Sequence, residues 1–197
     1  VYTQAVLDDM LTKIDKVTSD WSTYKNVFKA STGTRDGESL SLLINSFNED
    51  YEFIKRNKVG VASGVLSLGF TNPKEVEAYH SGLSLDLLEA AVSSSQNVFE
   101  GKASLNTNDE GLDDVLRYLN ADKNGQNLTE VILAQYDHIA EQLLTIDGPL
   151  SAAVDDDKED VISLYNVLNE QVIYLKSDLP SVMCIAITYV DNPSDSD

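Results

Sequence analysis

Residues 5–29 read AVLDDMLTKIDKVTSDWSTYKNVFK, and their apolar members fall at Leu7, Met10, Ile14, Val17, Trp21, Tyr24 and Phe28. Steps of three and four place these side chains on one face of an α-helix, the spacing of a helix laid against a core. Acids and lysines fill the positions between them. Further segments along the chain repeat the pattern, and no catalytic constellation interrupts it. The spacing predicts an all-α protein, an antiparallel helix bundle of five to six helices.

The chain has 197 residues, enough for one domain with a real hydrophobic core and no metal or disulfide support. Thirty-three acids against fourteen bases give a net charge of -19. A surface of that sign repels phosphate backbones and anionic bilayers, which argues against nucleic acid and against polybasic membrane docking. It also favours a soluble monomer. The single cysteine, Cys184, cannot form an internal disulfide, and its apolar neighbours Val182, Met183, Ile185 and Ile187 predict a buried, inert thiol. The stretch 179–190 is apolar but far too short to span a bilayer, so no transmembrane segment is expected.

Outward from the first helix, Gly33 and Gly37 mark a break, and a second helix starts near Ser39 with Leu40, Leu43, Phe47, Tyr51 and Ile54 on one face. Residues 59–70, VGVASGVLSLGF, hold three glycines and read as a frayed helix end, a strand or an apolar loop. A third helix is signalled by Thr71 or Asn72 as cap, Pro73 in the first turn and Glu75 and Glu77 behind it. It would bury Val76, Tyr79, Leu83, Leu87, Ala91 and Val92 and stop near Phe99. A short helix follows at 111–119, then an Asn124-Gly125 turn, then a long helix from Leu128 through Tyr136 and Ile139 to Leu143. Gly148-Pro149 punctuates the chain before the last long helix, which carries Val161, Leu164, Leu168, Val172 and Leu175 up to Pro180. Residues 181–190 suit helix or strand equally. One domain is expected over 1–190, with 191–197 a disordered acidic tail.

Motifs that carry chemistry are weak. Asp122, Lys123, Asn124 and Gly125 resemble the start of a calcium loop, but its twelfth position falls on Leu133 or Val131, neither of which ligates. The acidic run Asp155, Asp156, Asp157, Glu159 and Asp160 reads as a solvated helix start. His80 and His138 have no cysteine or second histidine at ligand spacing, so neither a metal site nor a cofactor is predicted. GxSxG, Walker and GxGxxG patterns are absent, and the chain is not expected to be an enzyme. Asn127-Leu128-Thr129 is an N-glycosylation sequon.

Nine Tyr, five Phe and one Trp fall mostly on the inward stripes. They either fill a core or line an apolar channel between helices, and composition does not choose. The segments VLDDMLTKIDKVTSDWSTYKNVF, SSSQNVFEGKASL and LDDVLRYL, in that order, are similar to the helices of fungal hydrophobic surface-binding proteins and cell-wall galactomannoproteins. The resemblance is one of pattern over most of residues 5–178, and no rare motif anchors it. It implies a secreted or cell-wall protein that holds a fatty acid or other lipid in an apolar cavity, with Phe28, Phe47, Tyr51, Leu83, Tyr136 and Ile139 as mid-stripe lining candidates. Two alternatives stand beside it. One is a solid-cored protein contacting cell-wall components or hydrophobic surfaces through 59–70, and the other is an intracellular, ligand-free adaptor.

Overall fold

The computed structural model describes residues 2–103, 107 and 109–189. Two long, interrupted helices running antiparallel form its spine. The first is α2 (Ser39–Phe53), which continues without a break through a π-helical segment, π1 (Ile54–Gly60), into the short α3 (Val61–Ser63). The second is α8 (Lys158–Ile173), which continues through π2 (Tyr174–Asp178) into α9 (Leu179–Val182). Their register is set by side chains. Asn45 meets the backbone near Ala186, Glu52 meets Lys176, Lys55 meets Asn169, and Gly60 meets Tyr165. At the last contact a Cβ on Gly60 would lie 2.9 Å from the Tyr165 ring, so any larger residue would have to displace that ring or push the two helices apart.

Around this spine pack α4 (Ser84–Phe99), α6 (Leu128–Leu143) and the short α5 (Leu112–Tyr118) and α7 (Leu150–Asp156). The apolar faces meet in one core, with Ile44, Phe47 and Tyr51 from α2, Leu88, Val92 and Phe99 from α4, Ile132, Tyr136 and Ile139 from α6, and Leu164 and Leu168 from α8. The fold is therefore the predicted all-α helical bundle. Its only sheet among the described residues is a hairpin, β1 (Asp122–Lys123) against β2 (Gln126–Asn127), with Asn124 and Gly125 both at positive φ in the tight turn. The segment resembling a calcium loop is this hairpin. Asn127 then caps α6, its side-chain oxygen accepting from the Thr129 and Glu130 amides at 2.9 and 3.4 Å. Asp157 ends α7 and starts α8, so the acidic run lies at a helix junction, as its composition suggested.

Several local expectations are corrected. The start signal at Asn72-Pro73 produces only a 3₁₀ turn, Pro73–Glu75. The turn ends at Val76, whose backbone is extended, and the positive φ of Ala78 and Gly82 keeps the chain out of a helix until α4 begins at Ser84. Tyr79 and Leu83 consequently sit outside the core, and Leu88 rather than Leu87 is the fully buried residue of the next turn. The apolar stretch 59–70 divides: Val59 and Ala62 are buried in the helix, Gly64 ends it at φ +84°, and Leu66, Leu68 and Phe70 lie on an exposed loop. Lys158 Nζ donates to the Gly69 carbonyl at 2.8 Å and holds that loop against α8. Cys184 is exposed at positive φ, while its neighbours Met183 and Ile185 turn inward. Residues 185–189 form neither helix nor strand and are fixed by Asn45, whose amide donates to the Ala186 carbonyl at 3.0 Å and accepts from the Thr188 N–H at 2.7 Å. The expected tail 191–197 lies outside the described residues.

The largest correction concerns the first helix. α1 (Tyr2–Ala30) forms as predicted, but none of its residues is buried. Val17 is 68% exposed, and Met10, Ile14 and Trp21 are each about half exposed. Only the C-terminal end is tied down, where the Ser39 hydroxyl donates to the Phe28 carbonyl at 2.6 Å. The stripe that suggested core packing has no partner among the described residues of the bundle.

Candidate functional site

Two features gather around π2. π-Helical turns are rare and carry wider, less favourable hydrogen bonding, and they often occur where a helix is reshaped for function. Here each long helix has one, and the polar groups of the spine cluster beside them.

The first feature is a charged cluster between the helices. Glu52 and Lys55, one turn apart at the entrance to π1, pair at 2.7 Å with about one tenth of each side chain exposed. Lys55 Nζ also donates to Asn169 Oδ1 at 3.1 Å and lies 5.8 Å from the Tyr165 ring centroid. The second Glu52 oxygen faces Lys176 of π2 at 3.5 Å, and Lys176 in turn stands over the Tyr189 ring. On the other flank of π2, Lys123 pairs with Asp178 and covers the Tyr174 ring at 4.7 Å. A buried ion pair returns its desolvation penalty only when such extra bonds complete it. The cluster thereby aligns α2, π2 and the chain end.

The second feature is a cleft of about 500 Å³ on the α6 side of π2, lined by Gln126, Glu130, Val131, Ala134, Gln135, His138 and Tyr174. Glu130, Ala134 and His138 follow one another at four-residue steps, so they line one face of α6. Arg117 Nη2 meets Glu130 Oε1 at 3.3 Å and orients the carboxylate. Gln135 donates to the Val167 carbonyl at 2.8 Å and joins the cleft floor to α8. Tyr174 donates to Glu170 Oε1 at 3.0 Å, and partial burial together with that carboxylate raises its pKa.

Beneath the cleft, the core carries its own polar group. The Tyr136 hydroxyl and Ser95 Oγ are 2.8 Å apart, and the Tyr51 and Tyr136 rings meet edge to face at 6.3 Å. Gln171, fully buried, faces the Tyr136 hydroxyl closely enough to favour its ionised form, but outside hydrogen-bond geometry. Burial dominates for both tyrosines and raises their pKa values well above the usual range.

The predicted lining residues divide accordingly. Phe47, Tyr51, Tyr136 and Ile139 are brought together in the core. Leu83 is about half exposed ahead of α4, and Phe28 belongs to an aromatic cluster on α1, 5.5 Å from Trp21 and 6.2 Å from Tyr24. Asn127 is the α6 cap. His138 reaches the cleft, whereas His80 is exposed and packs edge-on against Tyr79. Among the described residues, no three His, Cys, Asp or Glu side chains converge in a metal-holding group. Glu52, Lys55 and Lys176 escaped the sequence reading. The available signal was Glu52 and Lys55 at i and i+3 within an otherwise apolar stripe.

The family model described as Imelysin, Peptidase_M75, matches residues 1–175. No curated protein and no solved structure matches the chain significantly. The family match overturns the fungal surface-binding resemblance, and with it the lipid-carrier and surface-adsorption readings and the description as a lipid-binding or cell-wall protein. The resemblance failed for a physical reason. Helix order and amphipathic spacing are common to any helical bundle, and no residue pattern tied to chemistry supported it. Since the match spans most of its length, the chain belongs to the Imelysin family.

Proposed function

We propose that this chain is a non-catalytic binding domain of an iron-uptake system, offering the α6–π2 cleft to an iron complex that brings ligands of its own. The family is bacterial and iron-regulated, and its peptidase designation is compatible with a non-catalytic uptake role. The observation that carries the reading is the cleft itself. Glu130 and His138 on α6 and the Tyr174 phenol of π2 are its side chains that can ligate ferric iron. So few ligands do not close a coordination sphere, but they can add to one in which a chelator occupies most positions.

Three groups that a serine or cysteine peptidase would draw on are engaged or lie apart. The Ser95 hydroxyl is bonded to Tyr136 in the core, His80 stands against Tyr79, and Cys184 lies exposed in the turn after α9. A nucleophile needs a base within hydrogen-bond reach.

Titration with ferric citrate, followed by isothermal calorimetry, tests the reading. Saturable binding is expected, and His138→Ala should weaken it about tenfold, an energy of roughly 1.4 kcal/mol. Binding that His138→Ala leaves unchanged, or cleavage of unfolded casein by the purified chain, would sink the proposal.

A further inference from the structure

We propose that α1 is a self-association helix, pairing antiparallel with α1 of a second copy of this chain to form a two-helix coiled coil. Three observations carry this independently of the cleft. The first is period. From Leu7 to Phe28 the exposed stripe advances in strictly alternating steps of three and four. That is the 3.5-residue repeat of a seam between two supercoiled helices, narrower than the stripe of a helix laid on a globular core.

The second is charge. The chain carries a net charge of -19, yet α1 holds four acids and four lysines and is neutral, so the acid excess lies wholly outside it. Within α1 the signs are partly separated: Asp8, Asp9, Lys13 and Asp15 precede the midpoint at Lys16, a net of two negative charges, and Asp20, Lys25 and Lys29 follow it, a net of one positive charge. Parallel pairing would set like charges side by side, whereas antiparallel pairing sets acids against lysines and opposes the helix dipoles. In that orientation Ile14 layers on Val17 of the second copy, Met10 on Trp21 and Leu7 on Tyr24, each with its mirror contact. Lys13, which pairs with Asp9 on its own helix, then also flanks Asp20 of the second copy, which pairs with Lys16 on its own, on both sides of the axis. The Trp21, Tyr24 and Phe28 cluster, already assembled on each helix, meets the thinner Leu7 and Met10 end of the other.

The third is area. The seam spans about 32 Å, and its side chains with their flanking valines would remove roughly 800 Å² per helix from water, the scale of a stable interface. This pairing takes precedence over the monomer expected from net charge, because the repelling charge is not on the helix that associates.

Trp21 is the only tryptophan in the chain and sits on the seam, so its emission reports on this face directly. Sedimentation equilibrium from 1 to about 200 μM should show a monomer–dimer equilibrium, with Trp21 emission shifting to the blue as dimer forms. Ile14→Glu should give a monomer with red-shifted emission and unchanged thermal unfolding of the bundle, since Ile14 contacts no core. Lys13→Asp should weaken the dimer, and adding Asp20→Lys should restore it. A monomer at every concentration would overturn the proposal, whether Trp21 is exposed or covered by the chain's own bundle. So would a dimer indifferent to Ile14→Glu, or a loss at Lys13→Asp that Asp20→Lys does not rescue.

Discussion

α1 and α8 look alike in sequence and end in opposite environments. Both carry apolar residues at steps of three and four, but on α8 Val161, Leu164 and Leu168 are fully buried, while on α1 the equivalent stripe is exposed from Leu7 to Tyr24. The difference is the neighbourhood. α8 is joined by short connections to elements that fold back over it, with α6 and α7 against its faces. Among the described residues α1 is tied to the bundle at its C-terminal end, where Ser39 donates to the Phe28 carbonyl. Periodicity identifies the face a helix wants covered. It is silent about what covers it.

The contrast can be broken or sharpened by substitution. The largest effect should come from Glu52→Leu, which leaves Lys55 and Lys176 without their shared carboxylate and should destabilise the fold by about 3–5 kcal/mol in urea titrations. Leu168→Ala on α8 should follow at about 2–5 kcal/mol, while Ile14→Ala on α1, measured at a concentration where the chain is monomeric, should stay within about 0.5 kcal/mol. Equal losses at the two positions would abolish the distinction drawn here. Asn127→Ala should remove about 1 kcal/mol through the lost α6 cap.

A pH series probes the buried region alone. Tyr51 and Tyr136 keep their protons in the fold beyond the ordinary tyrosine value of 10.0, so the folded state binds protons that the unfolded chain has released. Their contribution is complete below about pH 10 and is lost as the pH rises above it. Urea midpoints should therefore fall between about pH 10 and 11.5, and Tyr136→Phe should flatten part of that fall.

Much of the fold was legible. The all-α class, the start of α2, the hairpin turn at Asn124-Gly125 and the core positions of α6 and α8 all follow from period and turn chemistry. The false third-helix start at Pro73 shows where local signals stop, because the backbone at Ala78 overrides a good cap. The π segments were hidden for a different reason. Tyr51, Lys55, Val59 and Ser63 are all buried at successive steps of four, a drift that an ideal α-helix would carry off the core. With a lysine and a serine among them, the series does not read as a stripe. The candidate site depends on that same geometry, so Glu52, Lys55 and Lys176 were as hard to see as the π turns beside them. The cleft needs three separate elements, and only His138 stood out in the sequence.

The π segments also bear on which changes of length this molecule tolerates. Each takes in more chain per turn than the α-helix around it, so deleting one residue there would let a regular α-helix close across the gap. Elements beyond it would keep nearly their present facing, because a π turn is an α-helix that has absorbed one extra residue. The loss would be local: a one-residue deletion in π1 would disturb the close approach of Gly60 to Tyr165, and one in π2 the pairing of Lys176 with Glu52, although both helices would be more regular than before. Lineages of this chain should therefore tolerate the loss of one residue within these two segments better than in the regular helix on either side of them.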